Sequence, residues 1–343
     1  MPSLALLTTL RVGGPALALV EASRSDELVE VVTRADAAGE PLLLLGGGSN
    51  VLVADAGFPG TVVRIATRGV QVRPVAPGLV EVTVAAGEPW DALVARSVAE
   101  GWSGLEALSG IPGSTGATPI QNVGAYGAEV GQLLTGIDVL DRATARVERL
   151  AAGALGLTYR SSRLKREPGR WVVLAATFHL PVDGRSAPVR YAELASALGV
   201  EEGGRAPTAD VRAAVLALRR AKGMVLDEAD HDTWSAGSFF TNPILPAARA
   251  ALLPGDAPRF PQPDGSVKTS AAWLISRAGF PRGFAVRPGA PASLSTKHVL
   301  ALTNRGGARA EDLLELARAV RAGVEARFGI VLDNEPVLVG CTL

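Results

Sequence analysis

Cysteine is nearly missing from this chain of 343 residues: Cys341 stands alone, so no internal disulfide can form and a reducing compartment is expected. Histidine is almost as scarce. His179, His231 and His298 show no HxxxH spacing and no cysteine neighbour, so no metal site is expected. None lies in a nucleophile-elbow motif, which argues against hydrolase chemistry. Excess charge is lacking too. Thirty-four Lys and Arg balance thirty-four Asp and Glu, which disfavours a general role on nucleic acid or a membrane surface but allows a local basic pocket. No apolar run approaches the ~20 residues of a membrane span. The apolar stretches 4–7 and 15–20 are split by Arg11 and lack a basic leader, so a cytoplasmic location is expected.

Two familiar nucleotide motifs are also absent. Gly46-x-Gly48 reaches Val51 where a Rossmann fingerprint needs a third glycine, and no Gly-Lys-Ser/Thr ending offers a lysine to a triphosphate. What the chain does hold is two glycine-rich loops. PLLLLGGGSN at 41–50 sets an apolar strand directly before three glycines, and SGIPGSTGATPIQNVGAYGAEVG at 109–131 is rich in glycine and small polar residues. Glycine lets successive N–H groups converge on one point and form an anion nest. A pair of such loops suits a ligand with a diphosphate between flat rings, and a dinucleotide is the first expectation.

Along the chain, Ser25 is expected to cap a helix that presents Leu28, Val31, Val32 and Ala35 on one face and stops at Gly39. Strands are expected at 41–45, 61–65, 78–85, 137–141 and 171–180, and a helix opens at Pro89. Residues 68–180 therefore read as one α+β unit. The stretch 181–207, rich in proline, glycine and small polar residues, predicts a linker or mobile loop, with Tyr191 its one aromatic. Further helices are expected from Thr208 to the residues before Gly223, around 273–278 and over 311–328, with strand residues around an acid in VLDNEPVLVG.

Taken in order, TTLRVGGPA, LLLLGGGSNVL, GLEALSGIPGSTGATPIQNVGAYGAEV, YRSSRLK, GSFFTNP, DGSVK-x(4)-WLI and NEPVLVG resemble the UDP-N-acetylenolpyruvoylglucosamine reductase family, MurB, over almost the whole chain. The insert bearing Tyr191, followed by Lys222, is similar to the subgroup that closes a tyrosine-bearing loop over its substrate. The resemblance implies an α+β fold: an FAD-binding fold of the vanillyl-alcohol-oxidase type with a separate C-terminal substrate domain. It also implies a division into two FAD-binding subdomains at 1–67 and 68–220, a substrate domain at 221–325 and a segment at 326–343 returning to the active site. FAD would be held without a covalent link by Gly46, Gly47, Gly48, Ser49, Asn50, Val51, Ser114, Thr115, Gly116, Gln121, Asn122, Gly124, Ala125 and Tyr126. NADPH would be the co-substrate and UDP-N-acetylglucosamine enolpyruvate the substrate, contacted by Tyr159, Tyr191, Lys222 and Asn242. A monomer is expected.

Chemistry gives the implied catalytic residues their roles. Hydride addition to the terminal enolpyruvyl carbon leaves negative charge on the neighbouring carbon and its carboxylate, so a cation is required there, and Arg160 offers a bidentate fork. Ser238 would protonate the enolate-like intermediate, and Glu335 would be the acidic partner that polarises the substrate. On residues alone these read otherwise: Arg160 as part of a solvated basic face, Ser238 as a turn serine, Glu335 as a surface carboxylate. The cluster Ser295, Thr296, Lys297 and His298 stands where the family has polar residues near the nucleotide. Two other readings stay open: a different flavin oxidoreductase of the same fold, and a non-catalytic FAD- or UDP-sugar-binding regulator.

Overall fold

The strand Trp171–Pro181 carries apolar residues on both faces, and the fold covers both. In the computed structural model, which describes residues 1–343, the chain forms two units. The first comprises Leu17–Gly47 and Pro59–Arg220, the second Met1–Ala16, Gly48–Phe58 and Ala221–Leu343.

In the first unit Trp171–Pro181 is the centre of a five-stranded antiparallel sheet, in the order Arg146–Ala151, Leu134–Asp141, Trp171–Pro181, Leu79–Ala85, Val70–Ala76. Trp171 and Val173 point into a large core with Val82, Val84, Ile137 and Val139, closed by Trp90, Leu93 and Val94 of the helix Trp90–Ala99. Val172 and Leu174 point the other way. They meet Leu28, Val31 and Val32 of the helix Ser25–Ala38, and Val63. Strict alternation would next send Ala175 to the large core. A register shift between Val173 and Ala175 inserts one residue, so Ala176, Phe178 and Leu180 go there instead. Burial of each such side chain contributes about 1.5–3 kcal/mol. Trp90, fully buried, also satisfies its Nε1, which donates to the Leu108 carbonyl at 3.1 Å.

Three expectations need correction. Ser25 is the first residue of its helix rather than its cap: Arg24 holds the cap position, its side chain paired with the Asp26 carboxylate rather than capping a helix amide, and Glu27 reaches back to Ser23. The strand Val70–Ala76 was not expected, because nearly all of its residues face solvent and give no apolar alternation. Residues 181–207 are more than a linker. They hold the helix Ala192–Leu198, ended by Gly199 at φ 66, and Val189, Leu194, Ala195 and Ala206 form a small core with Val211 and Val215.

The second unit is built on the helix Ala310–Phe328. Leu313, Leu314, Ala317, Val320 and Val324 pack on Phe239, Phe240, Leu274, Ile275, Leu294 and Leu302. Asp55, distant in sequence, accepts from the amides of Ala310 and Glu311 at 2.8 and 3.1 Å and so satisfies two orphan donors of the helix start. The C-terminal strand Val337–Val339 runs parallel to Val51–Val53, and Ala292–Leu294 pairs with Leu302–Asn304. Residues 1–16, 48–58 and 326–343 therefore share one body with 221–325.

Candidate active site

Each unit gathers its own set of the expected site residues. In the first, the strand Leu42–Leu45 delivers Gly46 and Gly47 against the second glycine loop. A Cβ on Gly46 would stand 2.5 Å from the Ser114 hydroxyl oxygen, and one on Gly47 2.6 Å from the Gly113 Cα. Any side chain there would drive the loops apart. Gly116 is equally constrained, its Cβ position 2.4 Å from that of Ala86. Thr115, fully buried, donates its amide and hydroxyl to the Glu88 carbonyl at 2.8 and 3.0 Å, which pins the loop between two elements.

The loop then turns through a strained stretch. Asn122, Tyr126 and Arg160 have positive φ of 47°, 51° and 52°, three of the five non-glycine residues in that state. Such conformations cost about 1–3 kcal/mol each and collect at functional sites. Asn122 is engaged internally: its Nδ2 donates to Glu129 and to the Thr158 carbonyl, and its Oδ1 accepts from the Gly131 amide. It shapes the loop. Arg160 donates from Nη2 to the Gly124 carbonyl at 2.8 Å and lies over the Tyr159 ring, and Tyr126 packs edge-on against Tyr191 at 5.4 Å. The structure thus joins the Gly124–Ala125 strand, Tyr126, Arg160, Tyr159 and Tyr191, which are spread over nearly seventy residues of sequence. Gln121 lies on the same loop.

Two supporting side chains escaped sequence reasoning. Asp91 accepts from the Gly110 amide at 2.6 Å and takes a two-pronged bond from Arg212 at 2.7 and 2.8 Å, so it ties the helix Thr208–Ala221 to the start of the second loop. Burial pushes the Asp91 carboxyl up, but Arg212 and the Gly110 amide outweigh it and hold it below the ordinary value. Glu106 is 1 % exposed and accepts from the amides of Gly104 and Ala187 at 2.5 and 2.8 Å. Burial raises its pKa above the usual range. Neither residue lies in a motif that would have flagged it.

In the second unit Gly48, at φ 62, has its Cβ position 1.8 Å from the Leu7 carbonyl, so only glycine fits beside the N-terminal segment. Ser49, Asn50 and Val51 follow. Asn50 donates from Nδ2 to the Glu335 carbonyl at 3.3 Å, and the Val337 amide donates to the Asn50 carbonyl at 3.0 Å. Glu335 in turn donates its amide to the Phe239 carbonyl at 2.8 Å, and Phe240 bridges Asn334. Ser238 immediately precedes this pairing, so Ser238 and Glu335 lie on adjoining strands of backbone although ninety-odd residues separate them. The Ser238 segment is held from several sides: Phe239 donates to the Leu300 carbonyl, Gly237 to the Ser235 hydroxyl, and Thr9 donates its hydroxyl to the Ser235 carbonyl at 2.7 Å. Asn242 uses Oδ1 to accept from the Ala271 amide at 2.9 Å, and Lys222 lies just before Gly223, whose φ is 66°. In the cluster at 295–298 only Ser295 is buried, and the bonds of Ser295, Thr296 and Lys297 go to the protein itself. Ser295 accepts from the amides of Lys297 and His298, Thr296 donates to Asp232, and Lys297 pairs with Asp230.

Glycine-rich loops that admit no Cβ and sit beside strained polar residues fit a phosphate-bearing flavin nucleotide. Residues 16–151 match the FAD binding domain family. The protein is an FAD-dependent oxidoreductase with an FAD-binding domain and a separate C-terminal domain. Residues 228–339 match the C-terminal domain of UDP-N-acetylenolpyruvoylglucosamine reductase. The chain belongs to the UDP-N-acetylenolpyruvoylglucosamine reductase family. Its relatives of that name include those of Saccharopolyspora erythraea, 58% identical across 99% of this chain and 95% of the relative, and Salinispora arenicola, 57% identical across 98% and 94%. The crystal structure of the reductase from Thermus caldophilus matches with a TM-score of 0.67 at 26% identity, covering 98% of this chain and 97% of that one.

Proposed function

We propose that the protein reduces the enolpyruvyl group of UDP-N-acetylglucosamine enolpyruvate with NADPH, giving UDP-N-acetylmuramate for peptidoglycan, as a cytoplasmic monomer. The observation that carries this is the backbone pairing that sets Ser238 beside Glu335 inside one unit. Retention of Arg160, Ser238 and Glu335 together speaks against the regulator reading.

The glycine loops would hold FAD, which when bound would supply two-electron transfer chemistry between NADPH and substrate. Everything else falls to side chains. Arg160, held over Tyr159 and bonded to the Gly124 carbonyl, meets the substrate carboxylate and stabilises the charge that develops on it. Ser238 supplies the proton that completes reduction at the neighbouring carbon. A hydroxyl is a weak acid near neutrality, so it serves only when fixed in contact with a basic carbon, and the bonds of Ser235, Gly237 and Phe239 do that fixing. Glu335 polarises the same end of the substrate. Tyr191 and Lys222 hold the nucleotide portion, Lys222 as a charge partner for its diphosphate.

The decisive experiment uses purified protein. NADPH should bleach its bound flavin, and UDP-N-acetylglucosamine enolpyruvate should restore the colour. Bleaching without recovery would point to another oxidoreductase of the same fold, and failure to bleach would point to a regulator.

A further inference from the structure

The segment 227–232, LDEADHD without its first residue, sits between Lys222 and Ser238 and corresponds to none of the motifs above. It carries four acids, and two of them, Asp230 and Asp232, hold side chains of residues 296–305. Asp232 is 4 % exposed. Its carboxylate accepts from the Thr296 amide at 2.9 Å, from the Thr296 hydroxyl, and from Arg305 Nη1 at 2.7 Å. Asp230 takes Lys297 Nζ and also caps the turn by accepting from the Asp232 amide at 3.0 Å. Of the three partners, Thr296 and Lys297 follow the strand Ala292–Leu294 in sequence, and Arg305 follows the strand paired with it, Leu302–Asn304. The same hairpin supports the neighbouring chain: the Asn304 amide donates to the Trp234 carbonyl and the Leu300 carbonyl accepts from the Phe239 amide.

We propose that Asp232, with Arg305 and Thr296, is the positioning clamp that fixes the proton-donating serine, so the 295–298 cluster acts here on the protein rather than on the nucleotide. The inference rests on the role given to Ser238. A buried carboxylate is chosen over an apolar contact because it holds direction as well as distance: three donors from two elements fix the loop in one orientation. Without it the stretch from Asp232 to Ser238 keeps its bonds to Thr9 and Leu300 but loses the anchor at its upstream end. A serine hydroxyl that must meet one carbon atom tolerates little drift, since a displacement of about 1 Å can cost roughly 100-fold in rate. The clamp does not touch substrate.

The test compares the two half-reactions by stopped flow in Asp232→Asn, Arg305→Met and Arg305→Lys, with hydrogen–deuterium exchange of residues 234–240 measured on the same proteins. Asp232→Asn and Arg305→Met should slow flavin reoxidation by enolpyruvyl substrate about 10–100-fold, leave flavin content and NADPH reduction within about twofold, and quicken exchange in that segment. Arg305→Lys should recover most of the rate. Exchange unchanged in both disrupting variants overturns the clamp, whatever Ser238 does. Quicker exchange with normal reoxidation, while Ser238→Ala reoxidises slowly, overturns the link to proton transfer. Equal slowing of both half-reactions overturns it as well, because that is the signature of general destabilisation. Quicker exchange with normal reoxidation in Ser238→Ala too would support the clamp as a structural device and dismiss the assignment of Ser238.

Discussion

At the scale of single residues, the sharpest division is between side chains acting before and after hydride reaches the substrate. A proton donor is idle while NADPH reduces the flavin, so Ser238→Ala should be reduced at near-normal rate and reoxidised slowly. Loss of a positioned general acid typically costs about 10²–10⁴-fold, or roughly 3–5 kcal/mol of barrier. Ser238→Cys should recover part of that rate from nearly the same place. Stopped-flow traces in which both half-reactions of the alanine variant slow together, or neither does, would remove Ser238 from the mechanism. The role proposed for Lys222 is in binding instead. Lys222→Ala should raise the substrate Michaelis constant by the equivalent of about 1.5–3 kcal/mol, the range for a charged hydrogen bond, with flavin content unchanged. An unaltered constant would take Lys222 out of the substrate site. The candidate residues were legible through motif, and their jobs only partly so. That Asn122 spends its amide on Glu129, Thr158 and Gly131 depends on the chain folding back across loops, which no local pattern encodes.

Among the elements, those with a strong period were legible and those without were not. The helix Ser25–Ala38 and the strand Trp171–Pro181 announce themselves through apolar spacing, whereas Val70–Ala76 hides because its side chains face water. The insert misled for another reason. Its core is made of small residues, alanines and valines among prolines and glycines, and composition alone reads that mixture as a linker. Polar bonds complete its attachment: Asp183 accepts from Arg205 at 2.6 Å, from the Ser103 hydroxyl at 2.7 Å and from the Arg185 amide at 3.0 Å. Arg205, then Ser103 and the Arg185 amide, hold the Asp183 carboxyl down to about 2. The sign follows from linkage. A depressed carboxyl contributes stability that is fully present above its unfolded value of about 3.9 and is lost as pH falls through about 2. The difference in thermal midpoint between the wild type and Asp183→Asn should therefore be widest near neutrality and shrink between about pH 4 and pH 2. A difference that stays constant across that range would show that the carboxylate is not what secures the insert.

For the whole molecule, sequence order and spatial grouping part company. The two ends of the chain and the stretch Gly48–Phe58 share one unit because Val337–Val339 adds itself to Val51–Val53 and Asp55 caps the helix Ala310–Phe328, contacts that span more than 250 residues. A linear division could not foresee them. Scarcity, by contrast, is a global property legible from the start, and it governs how the flavin is held. Cysteine and histidine are the usual points of covalent flavin attachment, and the chain has four such residues in all. None lies in either glycine loop. Cys341 is half-buried against the Leu52 carbonyl with its thiol pushed up by burial, His179 pairs with Glu81, His231 packs edge-on against Trp234, and His298 donates its amide to Ser295. FAD should therefore be held without a covalent link. Acid precipitation should release all the yellow colour into the supernatant, and flavin surviving denaturing washes in the pellet would contradict the arrangement. Reversible binding carries a thermodynamic consequence. The stripped protein should unfold at lower temperature, and returning FAD at a hundredfold excess over its Kd should restore about 2.7 kcal/mol, since a ligand that binds only the folded chain stabilises it by mass action. A melting curve indifferent to added FAD would mean that the two loops do not form the cradle at all.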